Sequence, residues 1–169
     1  MTEPPVTEPP VTEPAGQRVR LTVNGRVHEV RADPELTLLD VLRAQLGLAG
    51  PRFGCGAGLC GACFVLLDGQ PRSACDLPVA AAAGRDVVTV EGLAPGGLHP
   101  VQQAFIDEQA AQCGYCTTGL VISAVALLRA CPAPTPGQVR EALEPNLCRC
   151  GAHGRVVRAV LKAAAAERE

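Results

Sequence analysis

Nine cysteines in a chain of 169 residues, grouped rather than scattered, constrain this sequence more than any other feature. Cys55, Cys60, Cys63 and Cys75 read C-x4-C-x2-C-x11-C, and the first three fall inside the loop FGCGAGLCGAC. Cys113 and Cys116 form C-x2-C, and Cys148 and Cys150 form C-x-C. Grouped cysteines pair as disulfides, bind metal or do redox chemistry, and the compartment decides between these. The N-terminus MTEPPVTEPPVTEPAGQ carries no basic region, apolar run or twin arginine of an export signal. A reducing cytoplasm is therefore expected, with thiols free to act as ligands. No apolar stretch approaches the roughly 18 residues that a membrane span needs.

The first group matches the plant-type spacing for a 2Fe-2S cluster. Four thiolates must converge from a wrapped loop, and Gly54, Gly56, Gly58 and Gly61 let backbone N–H groups approach the sulfurs and offset their negative charge. The alternative is zinc, which usually takes paired C-x2-4-C arms rather than three cysteines within nine residues and a distant fourth. In the second group, C-x2-C with C-x-C suits zinc as well as iron and sulfide. Cys116 precedes a helix predicted to start at Thr117, which puts its thiolate near the positive end of the helix dipole. An extended Arg149 would turn the Cys148 and Cys150 sulfurs to one side.

Composition removes other functions. The net charge is −2 and the 15 basic residues are dispersed, so no positive field is concentrated for phosphates, and nucleic acid is not an expected partner. Phe53, Phe64, Phe105 and Tyr115 are the only aromatics, too few for base-stacking platforms. Asp107 and Glu108 are adjacent on a predicted helix and do not face one another as a catalytic pair would. No Ser-His-Asp set or phosphate-binding glycine loop is present. Cys131 is left over once two sets of four are complete, and is expected to be a free thiol. His28, His99 and His153 are not expected to be metal ligands, and Arg52 is expected to be solvated.

Along the chain, residues 2–14 repeat T-E-P-P-V, a composition that cannot bury enough apolar area to order, so a disordered tail over 1–16 is expected. Val19, Leu21 and Val23, then Asn24-Gly25 and a second extended run predict a hairpin. Asp33-Pro34-Glu35 predicts a helix start, continued by Leu38, Val41, Leu42 and Leu46 and ending near Gly47. Strands are predicted over 64–67, after the turn Asp68-Gly69, and over 86–90. Beyond the Pro95-Gly96-Gly97 linker, the stretches 100–109, 117–130, 135–143 and 155–166 all suit helices.

These pieces, in this order, resemble one family. The stretches RFGCGAGLCGAC with Cys75, then QCGYCTTG, then NLCRCG, are similar to the two-cluster iron-sulfur subunit of the molybdenum hydroxylases, of xanthine dehydrogenase and aldehyde oxidoreductase type. The likeness covers approximately residues 18–163. It implies an α+β chain: a ferredoxin-like (β-grasp) 2Fe-2S domain over 17–92, then an all-α four-helix 2Fe-2S domain over 93–169. It implies two 2Fe-2S clusters, held by Cys55, Cys60, Cys63 and Cys75 and by Cys113, Cys116, Cys148 and Cys150. The second lies nearer a molybdopterin-type molybdenum cofactor in a large partner subunit. It further implies that Gln112 contacts the pterin and that Cys150 lies between pterin and cluster. Many members read CTPG where Cys116-Thr117-Thr118-Gly119 stands here, and threonine also fits a first helical turn. After the last cysteine, Gly151-Ala152-His153-Gly154-Arg155 looks more like the isoquinoline and nicotinate oxidoreductase branch. The acceptor implied is a flavin subunit or a cytochrome. A free-standing ferredoxin and a zinc-stabilised interaction domain are the rival readings.

Overall fold

A computed structural model of the chain describes residues 16–166. The T-E-P-P-V tail lies outside the described residues. The Asn24-Gly25 turn does what its residues favour: both take positive φ, at 52° and 73°, and join β1 (Gln17–Val23) to β2 (Arg26–Ala32) in antiparallel register. β3 (Phe64–Leu67) and β4 (Gln70–Ser73) form a second hairpin about Asp68-Gly69. β5 (Asp86–Val88) runs parallel to β1 and antiparallel to β3, giving the sheet order β2-β1-β5-β3-β4.

The helix expected from Asp33 starts later. The Asp33 side chain accepts from the Glu35 N–H at 3.0 Å and its carbonyl from the Leu36 N–H at 2.9 Å, so residues 33–36 form a turn. Thr37 is the actual cap, accepting from the Asp40 N–H, and α1 (Leu38–Asp40) continues into a π-helical segment, Val41–Gln45. The apolar pattern holds despite the shifted start: Leu38, Leu39, Val41 and Leu42 are all buried against the sheet.

After the Pro95-Gly96-Gly97 stretch come α2 (Pro100–Asp107), α3 (Thr117–Ala130), α4 (Pro136–Ala142) and α5 (His153–Ala166). His99 and Thr135 cap α2 and α4 through reciprocal bonds with Gln102 and Gln138. Asp107 is tied to α5 by Lys162 at 2.9 Å, a structural contact. The layers follow from strand alternation. On β3, Val65 and Leu67 face the core beneath α1, while Leu66 between them joins the helical core with Leu120, Ile122 and Val160. One sheet thus serves two cores, and the loops at its edge are pressed against the helix starts. Among the described residues, no helix is long and apolar enough to cross a membrane.

Candidate metal centres

The loop from Phe53 to Cys63 has no regular structure, so its amides are free to point inward. Two N–H groups, of Ala57 and Leu59, donate to Cys55 Sγ at 3.4 and 3.2 Å, and the Gly58 N–H donates to Cys75 Sγ at 3.4 Å. Gly58 takes φ +70°, and a Cβ there would meet the Asp76 carboxylate at 2.2 Å, so only glycine brings that amide to the sulfur. Cys55 is exposed, Cys60 half-buried, and Cys63 and Cys75 sink into the core under the sheet.

The remaining thiols stand at helix starts. Cys116 is the N-cap residue of α3, as the sequence predicts. Cys148 and Cys150 precede α5, but the chain turns at Arg149-Cys150 rather than running extended, since Gly151 at φ +73° lets it reverse direction. Both residues still line one cleft. A cleft of about 230 Å3 is lined by Cys55 and Cys60 from the first set and by Cys113, Cys116, Cys148 and Cys150 from the second. Six of the eight predicted ligand residues therefore line one cleft, and Cys63 and Cys75 are buried outside its lining.

A neighbouring thiol is among the causes that shift the ionisation of four of them: Cys60 for Cys55, Cys75 for Cys63, Cys150 for Cys113 and Cys148 for Cys116. Among the described residues no three His, Cys, Asp or Glu side chains converge as a single ion requires. A two-iron cluster asks for something else, four thiolates shared between two metals. The donor chemistry fits it. Hydrogen bonds from Ala57 and Leu59 lower the Cys55 thiol to about 7, favouring the thiolate that binds metal. The backbone N–H of Tyr115 and the Cys150 thiol lower Cys113. Burial pushes Cys63 up to about 12 and Cys116 to about 11, protons that a metal would displace. Burial opposes ionisation of Cys148 too, but amides of Ala152, Cys150 and Gly151 together with the Cys116 thiol outweigh it, and that thiol is lowered.

Other expectations divide. Gln112 is exposed at the bend before Cys113, outside both thiol sets. Cys131 is half-buried at the end of α3, apart from them. Arg52 is not solvated as expected: it is half-buried with its guanidinium 5.6 Å from the Tyr115 ring centre, and Tyr115 Oη donates to the Phe53 carbonyl. Two further residues had no role in the sequence reading. Tyr115 was legible only as an aromatic between two cysteines, and Asn146, 2% exposed, only as the first letter of NLCRC. Neither has a local signal, because each acts on the distant 52–61 loop.

Two family patterns match the chain: a 2Fe-2S iron-sulfur cluster binding domain over residues 21–88 and a second 2Fe-2S binding domain over residues 89–161. The chain is 52% identical to one of the subunits of nicotinate dehydrogenase from Pseudomonas putida, over 89% of this chain and 97% of that protein. It is 44% identical to the alpha chain of isoquinoline 1-oxidoreductase from Brevundimonas diminuta, over 86% and 97%. Among solved structures, quinoline 2-oxidoreductase from Pseudomonas putida 86 superposes with a TM-score of 0.87 at 37% identity, over 91% of this chain and 97% of the matched chain. With its fold, its two groups of thiols and these relatives in agreement, the chain belongs to the two-cluster 2Fe-2S small-subunit family of the molybdenum hydroxylases.

Proposed function

We propose that Cys55, Cys60, Cys63 and Cys75 hold one 2Fe-2S cluster of this electron-transfer subunit, and Cys113, Cys116, Cys148 and Cys150 the other. A 2Fe-2S cluster, when bound, takes up and releases single electrons at a potential set by burial and by hydrogen bonds to sulfur. The chain's own residues do the rest. Ala57, Gly58 and Leu59 direct N–H groups at the sulfurs of the first set and favour the added negative charge of reduction. What carries this assignment is that six of the eight thiols line one cleft while the Ala57, Gly58 and Leu59 amides donate to sulfurs of the first set. The sets are joined as well: the Leu147 N–H donates to the Cys60 carbonyl at 3.0 Å, so a residue next to Cys148 is bonded to a residue of the first set.

The helical set faces a large molybdopterin-binding partner, with Gln112 and Cys150 toward the pterin. Support comes from their exposure, since Gln112, Cys113 and Cys150 all reach the surface together. The acceptor, a flavin subunit or a cytochrome, meets the other loop, where Phe53 is 59% and Leu59 74% exposed beside Cys55. The chain divides into a tail over 1–16, a β-grasp ferredoxin-like unit over 17–92 and a four-helix cluster-binding unit over 93–169. The shift from strands to helices after Gly92 supports that division. All nine cysteines are free of disulfides, which suits the cytoplasm.

Iron and acid-labile sulfide analysis with EPR of the reduced complex tests the assignment. The expected result is about four irons per chain and two distinguishable signals. Two zinc ions and no labile sulfide would overturn it.

A further inference from the structure

Between the two sets of thiols the chain is packed backbone against backbone, at three residues that no ligand role accounts for. The side chain of Asn146 is buried, and its Nδ2 donates to the Gly61 carbonyl at 3.4 Å. Flipping the amide would set oxygen against oxygen, so the donor must face Gly61. Asn146 Oδ1 is then left buried with no hydrogen-bond partner among the described residues. Gly61 and Gly119 meet at the same point. A Cβ on Gly61 would lie 2.3 Å from Asn146 Nδ2, and one on Gly119 would lie 2.0 Å from the Gly61 carbonyl oxygen. Contacts this close exclude any side chain at either glycine.

A packing role alone does not explain Asn146. The Gly61 carbonyl already accepts from the Phe64 N–H at 3.2 Å, so it needs no second donor to be satisfied. An apolar residue would fill the space without leaving an orphan oxygen in the interior. What asparagine adds is a tether on Gly61, the neighbour of Cys60, from a residue two positions before Cys148. The Leu147 N–H to Cys60 carbonyl bond lies beside it.

We propose that Asn146, Gly61 and Gly119 form a positioning knot that sets the gap between the two thiol sets, and with it the ease of electron passage between them. None of the three is a ligand. The proposal rests on the ligand assignment above, and two measurements keep them apart. Magnetic coupling between two reduced clusters falls steeply with their separation, so it reads the gap without turnover. Hydrogen exchange at the Leu147 amide reads the seam whether or not iron is present.

The full chain in its native complex is compared as wild type, Asn146→Asp, Gly119→Ala and Gly137→Ala. The aspartate keeps the shape but turns a carboxylate oxygen toward the Gly61 carbonyl. The alanine at 119 forces the backbones apart by about 1 Å to reach the closest approach that Cβ atoms tolerate. Gly137 is the control, because a Cβ there meets nothing nearer than 3.8 Å. Asn146→Asp should keep wild-type iron and sulfide, yet lose the splitting of the reduced EPR signals and exchange the Leu147 amide faster. Gly119→Ala should do so more strongly, and Gly137→Ala should do neither. Unchanged splitting and exchange in Asn146→Asp would overturn the knot. If Gly119→Ala loses iron through misfolding, Asn146→Asp still decides. Were the wild type itself to hold no 2Fe-2S cluster, the ligand assignment would fall, while unchanged Leu147 exchange in Asn146→Asp would still sink the knot and faster exchange would support it.

Discussion

Cys55, Cys60 and Cys63 come from nine consecutive residues, whereas 32 positions separate Cys116 from Cys148. The first set is wrapped by a loop that supplies three of its thiols and the amides that bond Cys55 and Cys75. The second has no such loop and is assembled from the starts of α3 and α5. Their burial differs accordingly. Cys63 and Cys75, at 1% and 6% exposure, belong to the core beneath the sheet, while Cys113 and Cys150 are exposed. A local loop can be folded inward and made part of a core. At the starts of α3 and α5, Cys113 and Cys150 stay at the surface, where helix termini carry unpaired backbone groups that need solvent or a partner, while Cys116 and Cys148 are half-buried. Half of the first set is therefore part of its domain's core, and half of the second lies at the surface.

The largest effect expected from this contrast is that of Cys63→Ser. It should remove the ferredoxin-type cluster and also destabilise the fold, since a buried hydroxyl without a partner costs about 1–3 kcal/mol. For a chain this size each kcal/mol lowers the melting temperature by roughly 2–4 °C. Thermal scans of the variant beside Cys150→Ser would measure the difference, and equal melting temperatures would erase the distinction between a core site and a surface site.

Cys150→Ser comes next. With an exposed thiol lost, the helical cluster should fail to assemble while the other survives, so iron falls by about half. Dithionite should still reduce the survivor, and substrate should not. Loss of all iron would mean that the seam at Cys60 and Leu147 makes the two sites assemble as one.

Thiol reactivity in the cluster-free chain gives a finer reading. Cys55, lowered to about 7 by the Ala57 and Leu59 amides, gains thiolate as pH rises through neutrality, whereas Cys63, raised to about 12 by burial, stays protonated there. Alkylation mapped by mass spectrometry across neutral pH should label Cys55 with a midpoint near 7 and leave Cys63 unmodified while the fold persists. Early labelling of Cys63 would show that its core opens without the cluster.

Gln112→Ala should have the smallest effect. Both clusters should assemble, and turnover of the complex should fall only by what one hydrogen bond supplies, roughly 0.5–1.5 kcal/mol or a few-fold to about tenfold in rate. Iron analysis and steady-state kinetics check this together, and unchanged turnover would remove Gln112 from the pterin contact.

Much of this molecule was written locally. Asn24-Gly25 and Asp68-Gly69 specify hairpins because their residues tolerate positive φ, which few others do. α3 runs over Thr117–Ala130, the stretch that suits a helix in the sequence. The cysteine spacing marked the candidate thiols, because a short chelating loop leaves its pattern in consecutive residues. What stayed illegible depended on contacts across the chain. Asp33 reads locally as the cap, yet the helix starts from Thr37, which also pairs with Pro78 in the strand-like bridge beside it. Arg52 became a stacked residue only because Tyr115, 63 positions away, lies beneath it. The sharing of one cleft by six thiols, and the burial of Asn146 against Gly61, arise because both faces of a single sheet are covered, one by α1 and the other by the helices. Sequence alone could count and space the candidate thiols, since that is decided by neighbouring residues. Only the tertiary structure could bring the two sets to a common seam, since that is decided by packing between segments that no local preference relates.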